Sequence, residues 1–250
     1  MVAKNKTVLI TGAASGIGFN IAKVFYKSGY QVAMTDKDID LLSNAAKKIG
    51  PDVIYLSLDV TDKKQWASTI DEVINKTSTL TCLINNAGIG SPNDIENIDE
   101  KHWDMTLDIN LKGVMWGCHF GLKAMAESGG NIINISSIMG KNPLSNTPAY
   151  AASKAGVISL TKTTALWAAE NNYPVRCNTI LPGFIRTAMM DEAIKNSKDP
   201  DGTLAGFKKL SPINDLVSTQ SIAETALFLD SSSSQHTTGS EFIVDGGYCI

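Results

Sequence analysis

The chain has 250 residues, 43% hydrophobic and 19% charged, with a formal net charge of −3. That length fits one large α/β domain or two small ones and is ample for a buried core. A slightly acidic balance without any block of like charge argues against nucleic acid or an anionic membrane as the main partner.

Two lysines precede a first apolar run of about four residues, shorter than the core of a secretory signal. No stretch approaches the roughly 18 apolar residues of a membrane span, so a soluble, cytoplasmic protein is expected. The run "TVLIT" (7–11) is followed by the glycine-rich turn "TGAASGIG" and a helix expected over about 16–28. "YQVAMTD" (30–36) precedes a second helix rich in Ala, Leu and Lys. Further strand candidates are "DVIYLSLDV" (52–60), "LTCLINNAG" (80–88), "GNIINISS" (130–137), "YPVRCNTILPG" (173–183) and "SEFIVDGG" (240–247). Most are β-branched, bounded by Gly, Pro, Asn or Asp, and too short for core helices. Strands recurring with helices between them predict right-handed βαβ units and a parallel sheet covered on both faces. The absence of repeats or a low-complexity linker predicts one domain. From about Thr187 to Thr219 the rhythm breaks, with methionines, "KDPDGT" and "KKLSPIND" and no strand. Insertions of this kind sit at strand ends and often form lids over active sites.

The cysteines Cys82, Cys118, Cys177 and Cys249 form no C-x-x-C pair and read as buried small hydrophobes in a reduced protein. His102, His119 and His236 show no ligand spacing, and no metal is expected.

Chemistry is concentrated at two ends. Gly12, Gly16 and Gly18 follow the first strand and open a helix. Glycine permits a tight turn and a close backbone approach, and the helix N-terminus offers free N–H groups to a pyrophosphate. Asp36 ends the second strand, 18 residues after Gly18, where a carboxylate pairs with a ribose 2′-hydroxyl. A 2′-phosphate would add about 1.5 to 2 negative charges beside it, so Asp36 favours NAD over NADP. Lys37 softens that discrimination, and Asp36 could also serve as the N-cap of the following helix.

At the other end, "PAYAASKAG" sets Tyr150 four residues before Lys154, on one helix face. A bare Y-x-x-x-K is by itself an ordinary surface pair. A phenol with a pKa of about 10 is a poor base, and lowering it by two or three units needs roughly 3–4 kcal/mol. A cation about 4 Å away at an effective dielectric near 20 supplies about 4 kcal/mol, against desolvation, which pushes the phenol the other way. Ser136 and Ser137 end the strand "NIINISS", at the strand ends where open parallel sheets bind ligands, and composition does not choose between them. Along "HWDMTLDINLKGVMWGC", Trp103, Leu107, Leu111, Val114 and Cys118 trace an apolar stripe on which Asn110 falls. A buried amide needs partners.

Taken in order, the turn T-G-x-x-x-G-x-G, "LDVTD", "NNAG", Y-x-x-x-K and "LPGFIRT" resemble the short-chain dehydrogenase/reductase family over nearly the whole chain. The resemblance implies a single Rossmann-type domain with a doubly wound, seven-stranded parallel sheet. It assigns Gly12, Ser15, Gly16, Ile17 and Gly18 to the dinucleotide, Asp59 and Val60 to the adenine, and Asn86 and Gly88 to the adenosine side. Pro182, Gly183, Ile185 and Thr187 would hold the nicotinamide amide. By the family spacing Ser137, thirteen residues before Tyr150, binds the substrate oxygen. Tyr150 is then the acid or base, and Lys154 holds the nicotinamide ribose and lowers the tyrosine pKa. Asn110 would hold a water linked to Lys154. Ile138, Met139, Leu144, Asn146, Met189 and Met190 are candidate pocket walls, and their apolar bias suggests a hydrophobic ketone or secondary alcohol. The likeness is greatest to bacterial secondary-alcohol and hydroxysteroid dehydrogenases, and it implies a homotetramer pairing the Asn110 and Tyr150 helices. Two rivals are an NADP-linked 3-ketoacyl carrier-protein reductase and a dinucleotide-sensing protein without turnover. An intact Ser–Tyr–Lys set weighs against the sensor.

Overall fold

In the computed structural model, which describes residues 6–90, 94–186, 188–195 and 197–250, Thr7–Thr11 form strand β1, buried at every position. Helix α1 (Gly16–Lys27) and strand β2 (Gln31–Asp36) follow. Helix α2 (Ile39–Ile49) is capped by Asp38, whose carboxylate accepts from the Leu41 N–H at 2.9 Å. The cap is therefore two residues beyond Asp36, whose carboxylate is turned elsewhere. Strand β3 (Ile54–Ser57) is shorter than its sequence run because it lies at the sheet edge, alternating half-buried and exposed residues. Helix α3 (Lys63–Thr77), capped by Asp62, leads to strand β4 (Cys82–Asn85).

The apolar stripe around Asn110 does not run as one helix. Helix α4 (Glu100–Leu107) passes into a π-helical turn (Asp108–Lys112) and then into α5 (Gly113–Ala124). Strand β5 (Gly130–Ile135) ends in a short 3₁₀ turn (Ile138–Gly140). Helix α6 (Pro148–Glu170) starts with a proline in its first turn, where the missing N–H costs nothing. Its small residues allow burial on several sides, from Ala149 and Ala151 to Thr161 and Ala168. Strand β6 (Val175–Pro182), helices α7 (Ala188–Lys195), α8 (Pro200–Lys209) and α9 (Thr219–Leu229), and strand β7 (Glu241–Val244) complete the chain.

The strands form one parallel sheet in the order β3-β2-β1-β4-β5-β6-β7. One apolar core lies under α1, α2 and α9, and a second under α3, α5 and α6. The order reverses between β1 and β4, and ligands of such sheets bind outside the strand C-termini at that crevice. Polar ties fix α6 on the sheet. Asn85 donates to the Asn134 amide oxygen at 2.8 Å, and Asn134 donates to the Thr161 hydroxyl at 2.9 Å. Buried side-chain hydrogen bonds of this kind favour one packing register. Among the described residues no helix is long and apolar enough to cross a membrane.

Candidate active site

The glycine turn is shaped by close packing. Gly12 has φ +61°, and a Cβ there would stand 2.7 Å from the Ala87 Cα. A side chain on Gly18 would collide with the Gly12 carbonyl and the Asn86 amide. Gly16 differs: at φ +58° its missing Cβ would point into open space. Ser15 caps α1 with extended backbone, but its hydroxyl makes no capping hydrogen bond. Ile17, in the first turn, packs against the core beneath. An open, positively polarised helix start beside a side-chain-free residue fits a pyrophosphate.

Asn86 is spent on this turn rather than left free. Its amide donates to the Thr11 and Gly12 carbonyls, both at 2.9 Å. The Thr11 hydroxyl in turn accepts from the Asn86 and Ala87 N–H groups at 3.0 and 3.1 Å. Thr11 was missed in the sequence because its role depends on a partner strand 75 residues away. Asp36 reaches the same turn, accepting from the Ala14 N–H at 3.2 Å, while its other oxygen accepts from the Asp38 N–H at 3.2 Å. Asp59 is exposed, with one carboxylate oxygen taken by Thr61. Val60 is buried, and its carbonyl accepts from the Trp66 indole at 2.9 Å.

The second cluster gathers at the ends of β4, β5 and β6. Lys154 is 4% exposed; its ammonium donates to the Ile135 carbonyl at 3.0 Å and lies 5.7 Å from the centre of the Tyr150 ring. A Cβ on Gly88 would stand 3.5 Å from that ammonium and 3.2 Å from the Asn110 Oδ1. The adjacent serines divide their work. Ser136 donates to the Lys154 carbonyl at 2.8 Å and is consumed in packing. Ser137 accepts from the Met139 N–H at 3.1 Å and its hydroxyl stands beside the Tyr150 phenol. Gly140 packs so closely on α6 that a side chain would strike the Lys154 backbone.

Two electrostatic expectations change. Burial raises the Tyr150 phenol above its ordinary 10, opposed only by the Ser137 hydroxyl. Burial also lowers Lys154 from 10.5 to about 8. The expected lowering of the phenol by the ammonium is therefore not found in this state. The lysine faces the Ile135 carbonyl, and desolvation outweighs attraction across the ring. The Asn110 side chain is committed to local partners. Its Oδ1 accepts from the Ile89 N–H at 2.8 Å, and its amide donates to the Ile89 carbonyl at 2.9 Å and to the Ser153 hydroxyl at 3.2 Å. It staples the end of the β4 segment to α6 from within the π turn, a feature frequent at functional sites.

Pro182 ends β6, and Gly183 donates to the Val244 carbonyl at 2.9 Å. Ile185 is buried and bridged to Val217. Thr187 and the Met189 side chain lie outside the described residues. Of the other pocket candidates, Ile138 (1% exposed) and Met139 are buried in the 3₁₀ turn, Leu144 and Asn146 are exposed, and Met190 is half-buried on α7. Ile138 is thus a packing residue as the chain stands. Among the described residues no group of His, Cys, Asp and Glu is arranged to hold a metal ion.

A parallel sheet with a glycine turn at its reversal point defines a Rossmann-type α/β protein. The family model described as enoyl-(acyl carrier protein) reductase matches residues 12–249. Among its relatives, the NADP-dependent (R)-specific alcohol dehydrogenase of Lentilactobacillus kefiri is 34% identical, covering 98% of this chain and 97% of its own. The 3-beta-hydroxysteroid dehydrogenase of Comamonas testosteroni is 33% identical over 97% of this chain and 95% of its own. The 3-oxoacyl-(acyl-carrier-protein) reductase of Thermotoga maritima is 33% identical over the full length of both chains. The chain belongs to the short-chain dehydrogenase/reductase family and is an oxidoreductase that uses a nicotinamide cofactor.

Proposed function

We propose that the protein is an NAD-dependent dehydrogenase interconverting a hydrophobic secondary alcohol and its ketone. The observation carrying this reading is the convergence of Ser137, Tyr150 and Lys154 at the strand ends beside Gly88. Gly16, with open space where its side chain would be, and Asp36 would hold the pyrophosphate and adenosine ribose. Bound there, the nicotinamide supplies or accepts the hydride.

The protein's own groups handle the proton. In ketone reduction the neutral Tyr150 phenol donates its proton to the carbonyl oxygen, and Ser137 donates a hydrogen bond to the developing oxyanion. Protonated Lys154 stabilises the phenolate left behind. The raised phenol suits this direction, since the acid form is the resting form. In alcohol oxidation the same proton moves the other way. Asn110 holds Ile89 and Ser153 so that Gly88 stays against the lysine. Helices α7 and α8, beyond β6, serve as the substrate lid, with Met190 on its inner limb.

Asp36 supports NAD by charge repulsion of a 2′-phosphate. One NADP-dependent relative, the 3-oxoacyl-(acyl-carrier-protein) reductase relative and Lys37 favour the second reading, an NADP-linked 3-ketoacyl carrier-protein reductase. A homotetramer through α5 and α6 is the assembly we infer. Leu166 and Trp167, 63% and 44% exposed on α6, support it. Three free, buried cysteines suit a reducing, cytoplasmic setting.

The decisive experiment assays cyclohexanol, 2-octanol, a 3β-hydroxysteroid and, in reverse, a 3-oxoacyl thioester with each dinucleotide. Alcohol oxidation with NAD that disappears in Tyr150→Phe is the expected result. Preferred reduction of the thioester with NADPH would replace this reading with the second.

A further inference from the structure

We propose that Tyr248 is a positioning residue for the lid: its ring, acting through Phe184, holds α8 over the catalytic strand ends. This rests on reading α7 and α8 as the substrate cover.

The C-terminal sequence "DGGY" turns the chain back toward the exit of β6. Gly246 and Gly247 adopt φ +64° and +92°, conformations that favour glycine. The buried Asp245 carboxylate organises that turn, accepting from the N–H groups of Gly247 and Cys249, each at 2.8 Å. The returning limb of the lid is seated on it. The Ser211 hydroxyl donates to the Gly246 carbonyl at 2.9 Å, and the Ile213 N–H donates to the same oxygen at 3.2 Å.

Phe184 is the pivot. It directly follows Gly183, and its carbonyl accepts from the Val217 N–H at 2.9 Å, where the lid rejoins the body. Its ring meets Tyr248 edge to face at 5.3 Å and Phe207, on α8, at 5.8 Å. All three rings are half-buried. Among the described residues no hydrogen bond is formed by the Tyr248 hydroxyl, so the ring rather than the phenol makes the contact. One chain of rings thus links the C-terminal turn, the exit of β6 and α8.

An edge-to-face pair of this kind shifts a two-state equilibrium about two- to tenfold, and the apparent affinity for substrate falls with the closed fraction. The test compares the full-length protein with Tyr248→Ala and Tyr248→Phe. Hydrogen exchange is followed in α8, with KM for cyclohexanol and for NAD. The expected result is faster exchange over Pro200–Lys209 and a cyclohexanol KM raised about two- to tenfold, with the KM for NAD unchanged. Both effects should be reversed in Tyr248→Phe and reproduced by Phe207→Leu, should Tyr248→Ala fold poorly. Unchanged exchange in Tyr248→Ala, or a Tyr248→Phe variant as impaired as the alanine, overturns the anchoring. Faster exchange with an unaltered cyclohexanol KM overturns the lid reading, and with it the role in substrate capture, while the ring contact stands.

Discussion

The ammonium of Lys154 and the ring of Tyr150 are 5.7 Å apart, yet the lysine gives its hydrogen bond to the Ile135 carbonyl rather than to the phenol. Both groups are thereby held in the less charged direction by burial, the lysine down to about 8 and the phenol above its usual value. A neutral phenol thus lies beside a cation that is just retained at neutral pH, the resting state the proposed reduction requires.

The first prediction concerns pH. In the proposed mechanism ketone reduction needs protonated Lys154 to stabilise the developing phenolate, and that charge is lost as pH rises through about 8. The profile of kcat/KM, which reports free-enzyme groups, should be flat from pH 6 to 7 and fall above about 8. A plateau continuing to pH 10 would remove Lys154 from the proton step.

Stability should move oppositely. A lysine depressed from 10.5 to about 8 binds its proton less tightly in the folded state. The unfolded chain therefore holds more protons between these values, and stability rises with pH across that window. The penalty on the charged form at neutral pH is roughly 3 kcal/mol. Lys154→Met should raise Tm at pH 7, shed this pH dependence and abolish turnover. A lower Tm at pH 7 would mean that the Ile135 hydrogen bond outweighs the burial cost.

Tyr150→Phe should reduce turnover by about 10²- to 10⁴-fold, the usual worth of a positioned proton donor. Dinucleotide affinity should change little. Steady-state rates together with fluorescence titration of NADH separate the two. Loss of binding matching the loss of rate would assign the phenol to cofactor holding instead.

The glycines give a contrast. Gly12→Ala combines a left-handed backbone with a Cβ 2.7 Å from Ala87, so it should lower both stability and dinucleotide affinity. Gly16→Ala has the same backbone strain, about 1–2 kcal/mol, and open space around it. It should lose affinity well beyond what its Tm shift suggests. Chemical denaturation and NADH titration of both variants check this. Equal behaviour of the two would mean that nothing binds at the Gly16 side of the turn.

Much of this site was readable because its logic is local. Tyr150 and Lys154 share a face by helical period alone, and the glycine turn announces itself between a strand and a helix. Ser136 and Ser137 were ambiguous because which hydroxyl turns toward α6 and which toward the phenol is settled by tertiary packing. Asp36 could have been the cap of α2 until the exit path of β2 put Asp38 in that place. Asn110 was expected to be buried, but its Ile89 partner lies 21 residues away, and the π turn that aims it leaves no mark in the apolar pattern. The rise of the Tyr150 phenol in the chain alone was not foreseen for a related reason. Spacing gives proximity, while the balance of burial and attraction depends on where the ammonium finds its hydrogen bond.

Asp36 also carries a lesson for redesign. Because one of its oxygens braces the Ala14 N–H, the residue proposed to discriminate between dinucleotides is also part of the turn proposed to grip either of them. Retargeting the enzyme by a lone Asp36→Ala exchange should therefore trade selectivity for weaker grip on both coenzymes. A successful conversion would need a replacement hydrogen-bond acceptor for that amide alongside the new cationic contact.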